Sequence, residues 1–196
     1  MFNDLSTPLA LLKTRRSGKP RDLIGPGPSR EQLRDMVAIA ARTPDHGKLA
    51  PWRFVIVPDE HRPALALKLV EILRAEKPDA SARDEEAAAQ FVTQAPALVV
   101  VLSAPEHGHK VPVWEQELSA GAACMNLLHA AHAMGFAGGW LSGWAAYSDR
   151  VRDLFGTASQ RIAGFVFIGT PARPLEERPR GDLDAIVTTW NPHYGP

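Results

Sequence analysis

Cysteine is almost missing: a single one, Cys124, stands in 196 residues. That excludes a disulfide framework and any cysteine-rich metal centre. Long apolar runs are missing too. The longest aliphatic stretch, Leu98-Val99-Val100-Val101-Leu102, falls far short of the roughly 20 residues a membrane helix needs. There is no excess of either charge, because 22 Lys+Arg balance 22 Asp+Glu. No global field therefore draws the chain to nucleic acid or to an anionic membrane. Met1-Phe2-Asn3-Asp4-Leu5 has no basic segment leading into an apolar one, so a soluble, cytoplasmic protein without a membrane or nucleic-acid partner is expected. Several catalytic signatures are also absent: G-x-S-x-G, H-E-x-x-H, G-x-G-x-x-G and the phosphate-binding G-x-x-x-x-G-K-[ST] do not occur. His107-x-His109 lacks accompanying carboxylate ligands and reads as a solvated loop; Cys124, inside a run of small residues, reads as core packing.

What is abundant is proline, 17 in 196 residues, about twice the usual ~5%. The prolines cluster at Pro20–Pro28 and Pro171–Pro196, which predicts extended segments there. Length and composition suit one domain over 1–196. Thr7-Pro8 opens a short helix to about Lys13. Ser29 with Gln32 opens a second as a capping box, with Leu33, Met36, Val37 and Ala40 on its apolar side. Trp52–Val57 alternates as a strand does. Two Ala-rich helices are predicted over 63–90, split near Pro78. Ala97–Ser103 reads as a strand buried on both faces. The longest helix runs from about Trp114 to Met134 and stops at Gly135. Gly138–Trp144 is a short strand or loop, Ser148 caps a helix through Phe155, and Ile162–Ile168 is another strand. A strand-like piece, 185–190, lies in an otherwise extended tail. Without strict βαβ alternation the fold class is α+β. The Pro-rich tail cannot cover itself, so it is expected to embrace the body or a second subunit.

Three clusters carry chemistry. Arg15-Arg16-Ser17 with Lys19 offers two guanidiniums, a hydroxyl and an ammonium, a set suited to a phosphate monoester; a surface basic pair is the bland alternative. Arg42-Thr43-Pro44-Asp45-His46-Gly47-Lys48 leads into Pro51-Trp52, which is either a binding loop or a charged turn before a core tryptophan. Gly138-Gly139-Trp140-Leu141-Ser142-Gly143 combines close backbone approach with an indole that can line a flat cavity.

Together and in this order, these clusters resemble the nitroreductase family of FMN-dependent oxidoreductases, close to its small NAD(P)H nitroreductases. The resemblance also includes Lys110-Val111-Pro112-Val113-Trp114-Glu115-Gln116-Glu117-Leu118-Ser119-Ala120-Gly121 and Phe167-Ile168-Gly169-Thr170-Pro171. It implies a central, mainly antiparallel sheet flanked by helices. It also implies a homodimer with FMN at the subunit interface, and an extended C-terminal arm, about 172–196, wrapping the partner. It places Arg15, Arg16, Ser17 and Arg173 on the FMN phosphate, and Lys19 near N1 and O2 of the flavin ring. Arg42 and His46 fall at ring or ribityl positions, His46 reaching the partner's flavin. Trp140, Leu141 and Ser142 fall along the isoalloxazine.

The implied chemistry is ping-pong: NADH or NADPH gives a hydride to flavin N5, and a nitroaromatic, quinone or similar acceptor then takes two electrons in the same space. No side chain is required as nucleophile, and His46 or water is the candidate proton donor. The alternatives are reductive dehalogenation, oxygen-dependent flavin chemistry, or a flavin-binding dimer without turnover. Pro44-Asp45-His46 replaces the Pro-Ser-Ser of many members, and Leu141 makes its flank of the site more apolar.

Overall fold

A computed structural model describes residues 2–192 of the protein. Its frame is a five-stranded antiparallel sheet. Strand β5 (Arg161–Pro171) is the axis: β3 (Ala97–Ser103) pairs with one edge and β2 (Trp52–Val57) pairs beyond it. Strand β4 (Ala137–Leu141) pairs with residues 165–169 of β5, and the two-residue β1 (Leu23–Ile24) pairs with its last two residues, Thr170 and Pro171.

The apolar run 97–103 is buried along its whole length, because β3 is interior and helices cover both faces. Its alternating side chains divide the core. Leu98, Val100 and Leu102 join Phe165 and Phe167 on one face, and Ala97, Val99 and Val101 join Val166 and Ile168 on the other. Against the first face lie α3 (Arg62–Glu76) and α4 (Ala82–Phe91), with α6 (Trp144–Tyr147) and α7 (Asp149–Arg152). Phe91 of α4 meets Phe165 and Phe167 edge-on, with centroids 5.0 and 5.5 Å away. Against the second face lie α2 (Arg30–Ala40) and the long α5 (Val113–Ala133). Cys124 belongs to this second core, where burial pushes its thiol up to about 12. It is inert packing.

Local signals account for most element ends. Thr7 caps α1 (Pro8–Thr14), its hydroxyl accepting from the Ala10 amide. Ser29 and Gln32 close both arms of the capping box of α2. Gly135, at φ +86°, ends α5 by adopting a left-handed conformation that few other residues take. Between α4 and β3 the buried Arg62 donates to the carbonyls of Gln94, Ala95 and Pro96. It thereby satisfies a turn that has no ladder partner.

Three sequence expectations are corrected. Pro20–Asp22 is a single 3-10 turn rather than extended chain, and the helix capped by Ser148 ends at Arg152, with only turns to Phe155. In place of a strand over 185–190, Leu183–Ile186 forms one helical turn, α8, capped by Asp182. Among the described residues a strand there has no neighbouring strand to bond with, whereas a turn closes its own hydrogen bond from Val187 to Leu183. The rest of the tail to residue 192 is irregular and exposed; residues 193–196 of the expected arm lie outside the described residues. Among the described residues no helix is long and apolar enough to cross a membrane.

Candidate functional site

The basic segment after α1 is held in place by backbone. Gly18 donates its amide to the Gly138 carbonyl at 3.0 Å, docking the segment on β4. That approach requires a glycine at 139, where a Cβ would stand 2.6 Å from the Gly18 carbonyl oxygen. The glycine pair of the third cluster therefore positions the residues of the first.

On this base Arg15 donates to Ser17 Oγ at 3.1 Å. Arg16, Ser17, Lys19 and Arg173 line one shallow cleft of about 40 Å³. Each outer cation has an anionic or carbonyl partner. Arg16 Nε donates to the Glu176 carbonyl at 2.6 Å, Lys19 Nζ meets the Glu176 carboxylate at 3.2 Å, and Arg173 pairs with Asp22. Arg15 differs. Among the described residues no carboxylate lies within ion-pair distance of it. Burial, followed by the like charges of Arg180 and Arg16, pulls its guanidinium below the usual arginine range. A half-buried cation without a counterion, beside a hydroxyl and two further guanidiniums, fits a phosphate group.

One residue beyond Gly139, Trp140 lies across β5 with its indole N–H donating to the Ala163 carbonyl at 3.0 Å. Its seat exists because position 164 has no side chain; a Cβ there would overlap the indole nitrogen. Gly164→Ala is expected to displace the ring and to cost about 1–3 kcal/mol, as overpacking does. A lower urea midpoint with red-shifted tryptophan emission is the measurement. The outer edge of the indole stands over Gly121 of α5.

Gly121 leads along α5 to a second cavity. Leu118 and Ala122 line it from the helix, together with Glu115 and Ser119, and the loop 43–46 forms its other wall; its volume is about 330 Å³. The loop is anchored to α5 by Ser119 Oγ donating to the Pro44 carbonyl at 2.6 Å and by Asn126 donating to Thr43 Oγ1 at 3.0 Å. Beyond His46, Lys48 and Ala50 adopt left-handed φ values of +58° and +47°. That is backbone strain of a kind stored at functional loops. The Asp45 carboxylate holds it by accepting from the amides of Leu49 and Ala50, 3.0 and 2.8 Å away. His46 Nδ1 stands 2.8 Å from Glu115 Oε2.

The expected residues thus divide. Arg15, Arg16, Ser17, Lys19 and Arg173 come together, Trp140 stands on a shelf of its own, and His46 faces the α5 cavity. Arg42 is exposed just beyond the end of α2. Ser142 opens on a different cavity, of about 300 Å³, beneath α3 and α4. Trp52 is core, packed with Ala120 and Ala123. Glu115, Gln116 and Ser119 were not singled out from sequence as site residues. Their shared spacing on one face of a predicted helix, opposite a charged loop, is the signal that could have found them. Gln116 is buried and bonds Glu106 and Val111, shaping the cavity rim.

The Nitroreductase family model matches residues 12–170. The Escherichia coli (strain K12) protein named "Putative NAD(P)H nitroreductase YdjA" is 40% identical over 164 residues, 83% of this chain and 87% of its own length. Among solved structures, a nitroreductase-like family protein from Bacillus cereus superposes with a TM-score of 0.78 at 22% identity, over 94% of this chain and 96% of its own. A Desulfovibrio desulfuricans structure, described as a "putative nitroreductase in complex with fmn", gives 0.71 at 19% identity, over 95% and 99% of the two chains.

Proposed function

The chain belongs to the nitroreductase family, and from that premise we propose that it is an FMN-dependent NAD(P)H oxidoreductase. The observation that carries the proposal is Arg15, a half-buried cation beside Ser17 and a further arginine, with no carboxylate at ion-pair distance among the described residues. FMN, when bound, supplies a two-electron carrier between a reduced nicotinamide and an acceptor.

In this reading Arg15, Arg16, Ser17 and Arg173 hold the FMN phosphate. Lys19 places positive charge near the pyrimidine end of the ring, where it favours the anionic reduced form. Trp140 lies along the ring, whereas Leu141, packed in the core on the side of α3 and α4, and Ser142, opening on the cavity beneath those helices, face away from its shelf. Arg42 and His46 serve the ring or ribityl chain of a second subunit, in keeping with their separation from the phosphate cluster within one chain. NADH or NADPH and the acceptor, a nitroaromatic or quinone, take turns in the same space. The exposed Leu183, Ile186, Val187 and Trp190 of the tail suit an arm that closes on a partner. Sedimentation is then expected to show a particle of twice the chain mass carrying two FMN.

Titrating the apoprotein with FMN and with riboflavin tests the cofactor assignment. FMN is expected to bind at least ~100-fold more tightly, since riboflavin lacks the group that the cations recognise and leaves them unpaired. Equal affinity for the two overturns it.

A further inference from the structure

His46 and Glu115 come from different elements, the strained loop before β2 and the first turn of α5, and meet at 2.8 Å on the wall of the α5 cavity. The other nearby carboxylate, Asp45, is committed to two backbone amides. His109, packed against Gly47, accepts from the Val111 amide through its own Nδ1. Glu115 is therefore the group that orients His46. A carboxylate only accepts, so the ring hydrogen facing it is the one on Nδ1. That leaves Nε2 for the cavity. Trp140 does not line this cavity, so in the reading above the imidazole faces the flavin of a second subunit rather than the shelf of its own chain.

We propose that Glu115 is a positioning residue that fixes the ring of His46 so that Nε2 delivers a proton to the acceptor. The proposal rests on the oxidoreductase reading above and adds a residue to it. For a quinone, the hydride originating on NAD(P)H brings two electrons and one hydrogen. The imidazolium Nε2–H bond breaks as an O–H bond forms on the acceptor, the hydroquinone leaves, and neutral His46 regains a proton from solvent through the open cavity. The pair resembles other arrangements in which a third group sets the tautomer of a proton-donating histidine.

The test combines nitrogen-15 NMR of the apoprotein with rapid mixing of the flavin-loaded enzyme. In the neutral ring of His46 the hydrogen is expected on Nδ1, and in Glu115→Ala on both nitrogens in mixture. Glu115→Ala is expected to slow reoxidation by a quinone about tenfold more than reduction by NAD(P)H. Glu115→Gln keeps an acceptor at Oε1 and recovers part of that loss. His46→Gln slows reoxidation about 100-fold, the scale of a lost general acid, and abolishes its solvent deuterium isotope effect. A wild-type hydrogen on Nε2, or reoxidation in Glu115→Ala and His46→Gln at the wild-type rate, overturns the proposal. Failure of NAD(P)H to reduce the wild-type flavin overturns the underlying reading instead, and is seen before any variant is compared.

Discussion

Replacing Arg15 by alanine is expected to weaken FMN binding by roughly 100-fold, the loss that follows truncation of one partner of a buried charge-assisted pair. The size follows from the surroundings of the side chain. Arg16 and Arg173 are already engaged by Glu176 and Asp22, so a phosphate gains little from them beyond an exchange of partners. Among the described residues Arg15 has no such carboxylate, and burial together with Arg180 and Arg16 already disfavours its charge. A dianion placed there relieves repulsion as well as forming new hydrogen bonds. Arg16→Ala is expected to cost less, because the carbonyl of Glu176 loses its donor at the same time. Quenching of flavin fluorescence on titration into the apoprotein measures both; full flavin retention by Arg15→Ala contradicts the assignment.

The second large effect is on stability in mild acid. His132 is fully buried at the end of α5, where Nε2 accepts the Gly138 amide at 3.2 Å and thereby starts β4. Burial, with Arg15 and then His129 adding like charge, pushes it down to about 4. The folded protein therefore keeps His132 neutral while the unfolded chain binds a proton near pH 6.5. Stability is intact above pH 6.5 and falls as pH drops from there towards 4. Below about 4 both states are protonated and the loss from this group stops growing. Between pH 7 and pH 5 the expected loss is about 2 kcal/mol, read from urea midpoints. His132→Gln, which places an amide oxygen near the position of Nε2, is expected to remove most of that dependence. An equal pH dependence in wild type and variant contradicts the assignment.

The frame of the fold was legible because its signals are local. The capping box at Ser29, the unbroken apolar run 97–103 and the glycine stop at 135 each name one element end or one buried strand without reference to the rest of the chain. The tail was misread for the complementary reason. Ala185-Ile186-Val187-Thr188-Thr189-Trp190 has strand composition, but a strand needs a neighbour, and none is offered among the described residues. The candidate site was legible in part. Arg15, Arg16, Ser17, Lys19 and Arg173 lie in two stretches 154 residues apart, and only the family resemblance joined them. Glu115 was passed over because a glutamate at the start of a helix is ordinary. Its meaning comes from the imidazole that the loop 43–46 brings against it. Likewise nothing in the sequence announces that Gly164 makes room for Trp140, since that relation crosses two strands.

The measurement that tests the central claim most directly is the visible spectrum of the purified protein, loaded with FMN where needed, before and after anaerobic addition of NADH and then NADPH. A flavin spectrum that bleaches with one or both, and returns when a quinone or nitroaromatic is added, is the result expected of an NAD(P)H oxidoreductase. A flavin that stays oxidised under both nucleotides contradicts it and favours a binding role or another flavin chemistry, and a chain that takes up no FMN at all contradicts the site itself.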